Sequence, residues 1–249
     1  AMNELFKWVP VLKEKINASA FYNQSLRINT LITGTLEKIN IPILQLTGLD
    51  GSAINARATL YHVTNAKKMM LDITLLSSNI SKRDIAKFVK LSPAAFAQLP
   101  AMLHLKATAV GSLNQMQTDI YLVGSQLLLD AKASLKNLNN MKLFTYDVNI
   151  RKSHFQKNLL LSFIPKEKIP TSIELPQDII LSGTLKGDAN NILTNLKLDG
   201  SYGVATIKGY VNHFTNKEKA SYDLHMTTQT FKIGKLLKKD SLLSTVTMQ

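Results

Sequence analysis

The sequence contains no cysteine among its 249 residues, and it is poor in aromatic side chains and in acidic charge. The first absence removes disulfides, thiolate nucleophiles and every cysteine-ligated zinc or iron–sulfur site. It suits a bacterial cytoplasm or periplasm and argues against a small disulfide-stapled secreted domain. Long apolar runs are missing too. The best, PAAFAQLPAMLHL, is interrupted by Gln98 and Pro100 and falls short of the roughly 18–20 residues that span a bilayer. No P-loop, G-x-G-x-x-G, H-E-x-x-H, G-x-S-x-G or EF-hand pattern is present, so the common nucleotide, zinc-protease, hydrolase and calcium chemistries have no carrier. The start carries no leader pattern and Ala1–Met2 reads as a cloning remnant, so the chain is expected to be an internal piece of a longer protein. Acidic residues number 17 against 30 Lys+Arg, and the resulting formal charge of +13 favours anionic partners. Nucleic acid is not the expected one. Aromatics make up 7%, and Tyr146, Phe214 and Tyr222 fall among apolar positions rather than between basic ones.

What the sequence does have is a 45% hydrophobic content, enough for a real core, and a period. NARATLYHVTNAKKMMLD (55–72), DAKASLKNLNNMKLFTYD (130–147) and TIKGYVNHFTNKEKASYD (206–223) align without a gap. Asn65, Asn140 and Asn216 coincide, as do Asp72, Asp147 and Asp223, at intervals of 75 and 76 residues. Gly111 recurs as Gly187 and Gly124-Ser125 as Gly200-Ser201, while ITGTLEKI (32–39) resembles LSGTLKGD (181–188). Such a period indicates repeat architecture. The expected units are 18–90, 91–163 and 164–240, with 1–17 the tail of a preceding repeat's helix, all in one elongated domain.

Within each unit, apolar and polar residues alternate over short runs, the mark of strands with one apolar and one polar face. About four strands per unit are expected, separated by Asn-, Gly- and Lys-rich antiparallel turns. Each unit also carries one helical segment, at Ser81–Lys90 with a Ser81/Asp84 capping box, at 153–163 and at 230–239. Prolines fit this division: all but Pro42 are placed between a helix and the next strand. About twelve strands at ~4.8 Å spacing would make a sheet nearly ~60 Å wide. Such a sheet has to curl or fold, and close repetition favours a strongly curled, U-shaped antiparallel groove over a closed sandwich or barrel. The expected class is mainly β.

Candidate chemistry is sparse. The five histidines fall at different points of the unit and do not suggest a metal site; His62 and His213 share a position with Asn137, one tolerant of polar groups. The three aspartates resemble a charge ladder on the polar face, too far apart for a carboxylate pair. Arg57, Lys132 and Lys208 recur at one position. They could contact anionic headgroups or simply form a solvated face that keeps strand edges apart. The apolar stripe is the strongest candidate: Leu71, Ile73, Leu75, Ile120, Leu122, Ala131, Ala133, Leu135, Tyr146, Val148, Ile179, Leu181, Leu196, Leu198, Ile207, Tyr222 and Leu224. These residues either pack together in a dry core or line a groove about one acyl chain deep, and the pattern alone leaves the two open.

The run IPTSIELPQDIILSGTLKGDANNILTNLKLDGSYGVATIKGYV (169–211), followed by YDLHMTTQTFKIGKLLKKD (222–240), resembles the repeats of the AsmA/TamB family of bacterial cell-envelope proteins, in particular its long Bacteroidetes members. The resembling order is a strand, L-x-G-x-L-x-G, a polar turn, N-L-x-L-x-G-x-x-G, and a strand ending in an F-x-[IL]-G-x-L-L helix. It covers most of the chain, three times over. The resemblance implies a parent anchored in the inner membrane, with a periplasmic β-groove reaching toward the outer membrane. It implies phospholipid transport and outer-membrane biogenesis, and a BamA-type outer-membrane partner met by another part of the parent. The anchor and the C-terminal partner-binding segment are not recognisable here.

The resulting expectation is a non-enzymatic periplasmic conduit for phospholipid acyl chains, without cofactor, metal or catalytic residues. The alternative is a scaffold or chaperone that pairs its sheet edge with nascent outer-membrane strands. An adhesin-like β-solenoid fits the helices and basic charge less well.

Overall fold

The computed structural model describes residues 26–65, 67–164, 171–216, 218–239 and 245–248. Thirteen strands form one antiparallel sheet in strict chain order, so every connection is a hairpin or a short helical crossover between neighbours. They are β1 (Arg27–Thr35), β2 (Lys38–Thr47), β3 (Ile54–Tyr61), β4 (Met70–Ser81), β5 (Met102–Ser112), β6 (Gln115–Gly124), β7 (Leu127–Lys136), β8 (Thr145–Gln156), β9 (Asp178–Asp188), β10 (Ile192–Gly200), β11 (Gly203–Asn212), β12 (Ser221–Lys232) and the short β13 (Thr245–Met248). Helices succeed three of the strands: α1 (Lys82–Phe88) and α2 (Pro93–Gln98) after β4, α3 (Lys157–Ser162) after β8 and α4 (Ile233–Leu236) after β12.

The alternation read in the sequence becomes a two-faced ladder because directly opposed residues in antiparallel strands project to the same side. β3–β4, β7–β8 and β11–β12 meet in matching registers, Leu60 opposite Leu71, Leu135 opposite Tyr146 and Val211 opposite Tyr222. Each of these hairpins leaves its first strand through a left-handed residue, His62 (φ 51°), Asn137 (φ 55°) or His213 (φ 51°). Asn and His tolerate that conformation better than bulkier residues. The polar tolerance seen at this position therefore has a backbone cause. Further along each turn, Asn65, Asn140 and Asn216 form Asx turns, accepting hydrogen bonds from the backbone N–H of Lys67, Lys142 and Glu218, each at 3.1 Å.

Two expectations are corrected. The sheet is not strongly curled; among the described residues β1 and β13 are its two edges and its packing runs between neighbouring strands. Part of the drive to curl is met another way, because α1, α3 and the residues Leu91 and Leu99 on either side of α2 lie against one end of the apolar face and cover it. The helices are also shorter than 81–90, 153–163 and 230–239. β8 and β12 continue as strands to Gln156 and Lys232, with Ser153 opposite Leu181 and Thr228 opposite Met248. Each of these strands bulges near that point, and the extra residue obscures the period-2 pattern.

α2 lies where no helix was expected, begun by Ser92, whose hydroxyl accepts from the Ala95 N–H at 3.1 Å, with Pro93 at its first turn. Pro93 is thus inside a helix, and Pro42 sits in the β2 bulge between Ile41 and Leu44, where no ladder bond is lost. The expected leading helix near residue 5, along with Pro10, Pro165 and Pro170, lies outside the described residues.

The most deeply buried cluster is Leu99, Leu103, Leu127 and Leu159, flanked by Ile85, Leu91, Leu122, Leu129 and Phe155. It joins the helices to the ends of β5–β8. Total accessible surface is 16172 Å², about half as much again as the ~11,000 Å² of a globular monomer of this mass. Within the sheet, most strand residues are half-buried or exposed.

Candidate functional site

The apolar residues organise into rows that cross the sheet. The first row nears the β1–β2, β3–β4, β5–β6, β7–β8, β9–β10 and β11–β12 hairpins. It runs Gly34, Ile39, Leu60, Leu71, Gly111, Met116, Leu135, Tyr146, Gly187, Ile192, Val211, Tyr222, one residue per strand from β1 to β12. The second carries Ile73, Ala133, Val148 and Leu224, and the third Leu75, Ile120, Ala131, Leu196 and Ile207. The fourth, past the β4 and β8 bulges, carries Leu122, Leu181 and Leu198; the fifth pairs Ile179 with Phe155. All seventeen stripe residues named from the sequence therefore project to one face. The bulges keep this true: β4 and β8 each insert one residue, so Ser78 and Ser153 re-enter the ladder on the apolar side.

Glycine in the first row has a steric cause. Gly34 (φ 113°) and Gly111 (φ 133°) hold a conformation L side chains rarely adopt, and a Cβ on either would stand 2.1 Å from the carbonyl oxygen across its hairpin. Tyr146 fills the space beside Gly187, and burial, with a smaller effect from the charge of Asp188, pushes its hydroxyl above the ordinary phenol range.

This face is not a dry core. Of the seventeen residues only Ala131 and Ile179 are buried; most of the rest are half-buried, and Tyr222 is 76% exposed. Its other members, Ile39, Leu60, Met116 and Ile192 among them, were missed by sequence reading. They sit at strand ends beside the turns, and cross-strand registration brings them in.

The opposite face is mainly polar, although Val110, Tyr121, Ile180, Leu193 and Tyr210 are exposed on it. Arg57, Lys132 and Lys208 fall in one row there, with Thr74, Thr108, Asp119, Asn149, Thr184 and Asn195 between them. The sheet is one strand thick, so a lipid lying on the apolar face cannot bring its headgroup to these three. Lys132 stands 3.6 Å from Asp119, and Arg151, set in the β8 bulge, bridges Asp119 and Asp130. Those Arg151 hydrogen bonds hold the Asp119 carboxyl below its usual value, against a smaller effect of burial and with help from the Lys132 charge. Asp72, Asp147 and Asp223 share another row on this side; Asp147 lies 3.4 Å from Lys186 and Asp223 3.4 Å from His225.

A polar junction ties α1 to the sheet. Ser81 caps the helix by accepting from the Asp84 N–H at 3.1 Å, while its own N–H is taken by the Ser52 hydroxyl at 2.9 Å. Asp84, 1% exposed, accepts from Ser52, Ser81, Lys87 and the Asp50 N–H. Burial pushes this carboxyl up, but the hydrogen bonds from Ser52, Lys87 and Ser81 outweigh it and hold the group below its ordinary value. The capping box was legible in the sequence. Ser52 and Asp50, about 30 residues upstream, were not.

Among the described residues no three of His, Asp and Glu gather where a metal could bind, and no helix is long and apolar enough to cross a membrane. No protein-family model, curated protein or solved structure matches the chain.

Proposed function

We propose that this chain is a section of a non-enzymatic hydrophobic conduit that carries phospholipid acyl chains between the inner and outer membranes of a bacterial envelope, as its resemblance to the AsmA/TamB family implies. The observation that carries the reading is the apolar face itself, continuous over twelve strands and left mostly open, and backed by a mainly polar face. An exposed apolar surface of that extent is unusual for a soluble protein and marks a binding surface. The chain reads as about three copies of one four-strand unit, each closed by a helix, in a periplasmic part of an inner-membrane-anchored parent. Repetition suits transport. Equivalent weak contacts in every unit let a chain move along the face without a deep well to hold it.

Vesicle-to-vesicle phospholipid transfer tests this. Charged substitutions at Val148, Leu181 and Leu198 are expected to abolish transfer while the far-ultraviolet circular dichroism of the sheet is retained. Loss of the fold on substitution at Val148 would instead mark the face as a closed core and end the conduit reading.

A further inference from the structure

Resting on that conduit reading, we infer that a phospholipid lies along the strands in one orientation. Its phosphate sits at the hairpin margin of the sheet and its chain ends enter a leucine-lined cavity at the helix margin. Two separate features carry this. The first is a cavity of about 320 Å³ with a wholly apolar lining, including Leu99, Leu122, Leu129, Phe155 and Leu159, between α1–α3 and the sheet. It adjoins the open face, since Leu122 and Leu129 belong to the fourth apolar row. Ligand sites of this size and character take apolar groups.

The second feature is the charge at the opposite margin. Lys67, Lys68, Lys142 and Lys219 are exposed in the hairpin turns, and none makes an ion pair among the described residues; Lys38 and Lys136 stand at the same margin but alternate to the polar face. The acidic groups there are Glu37, Glu218 and Asp188; Glu37 is paired with His62, and Asp188 is held by Asn190 and Asn191. Leu36, Met141 and Leu143, at 60–68% exposure, stand among these lysines. A margin that mixes apolar side chains with long cationic ones matches the boundary between acyl chain and phosphate. The helix margin is basic as well, with Lys87 and Lys157 tied to carboxylates and Arg83, Lys90 and Lys235 exposed; what sets it apart is that the apolar face there is closed by the leucine cluster.

The span fits. From Leu135 in the first row to Leu129 in the fourth is six residues of β7, about 20 Å of strand. One leaflet's hydrocarbon is ~15 Å deep. That depth is for melted chains, so a chain whose phosphate rests on the hairpin lysines has to lie nearly extended along the strands to bring its end to the cavity.

Photo-crosslinking decides this. Phosphatidylglycerol is prepared with a diazirine either at the end of one acyl chain or on its headgroup, loaded on the protein, irradiated, and the adducts mapped by peptide mass spectrometry. Chain-end adducts are expected between 85 and 103, between 122 and 129 and between 155 and 163, and headgroup adducts in the 62–70, 137–145 and 213–220 turns. Combining Lys67→Glu, Lys68→Glu, Lys142→Glu and Lys219→Glu should lower headgroup labelling about tenfold or more. Combining Arg57→Glu, Lys132→Glu and Lys208→Glu should leave it unchanged. Displacement of the headgroup label by excess inorganic phosphate, or a uniform or reversed map, overturns the orientation and leaves the conduit intact. Absence of adducts with both probes removes conduit and orientation together.

Discussion

At the helix end of the apolar face, Leu99, Leu103, Leu127 and Leu159 are no more than 8% exposed; at the hairpin end, Leu71, Leu135 and Tyr146 of the first row stay half-open, and Tyr222 is 76% exposed. The strands between these ends have the same alternation throughout, so the difference comes from the connecting segment at each strand's end. Where β4 and β8 run into helices, side chains such as Ile85 and Leu159 turn back over the sheet. Where β3 and β7 run into Asn-bearing turns the cover is slighter: Phe144 lies 6.1 Å from the Tyr146 ring and Met116 is 5% exposed, while the other named residues stay open. The covered end is thereby suited to holding the fold, and the open end to offering apolar surface at little cost in stability.

The covered end itself is built in two ways. Positions 84 and 159 lie 75 residues apart at the same point after β4 and β8, as do 52 and 127 near the starts of β3 and β7. The first junction has Asp84 hydrogen-bonded to Ser52; the second has Leu159 packed with Leu127. A hydrogen-bonded carboxylate and a leucine pair can both dock a helix here, provided that both partners of each pair agree in chemistry. A mixed pair would leave a buried charge unpartnered.

Breaking the covered end should have the largest effect. Leu159→Ala is expected to cost about 2–5 kcal/mol, seen as a fall in the denaturant midpoint with little change in slope. Asp84→Ala should come next, at about 1–3 kcal/mol, because Ser52 and Ser81 lose a buried acceptor and Lys87 a partner. The same junction has a pH signature. Its carboxyl is held below the ordinary value, so its contribution is complete above the unfolded-state value near ~3.9 and fades as pH falls through the lower folded value. The wild type should lose that increment on acidification below about pH 4, and Asp84→Asn should lack it at every pH; an equal acid response in both would break the junction comparison. At the open end, Val148→Asp should change stability by about 1 kcal/mol or less, since the site is half-exposed. On the polar face, Lys132→Ala should shift it by under ~0.5 kcal/mol, because a 63%-exposed lysine 3.6 Å from its partner contributes little.

Much of the face was legible from sequence because period-2 alternation is a direct image of the pleat. Residues as distant as Leu71 and Leu224 could be assigned to one side by counting alone. Counting fails at bulges, which is why β8 and β12 were cut short at 153 and 230. It fails also for helices as brief as α2, where Ser92-Pro93 was the available signal. The curl was overestimated because alternation reports that an apolar face exists, not what shelters it. The cover came from the ends of the strands, through α1–α3. The basic residues were sorted by recurrence rather than by their place along the strands. Recurrence picked out Arg57, Lys132 and Lys208, but alternation places them behind the sheet, while the hairpin lysines vary in position and leave no periodic mark.

The central claim is that the open apolar face holds phospholipid. Native mass spectrometry of the purified protein, with lipid extraction from the same sample, tests it most directly. Phospholipid masses retained on the folded chain, and diminished in Val148→Asp, are the expected result. A lipid-free protein that crosslinks in cells only to outer-membrane polypeptides would contradict it, and would favour strand pairing at the sheet edge instead.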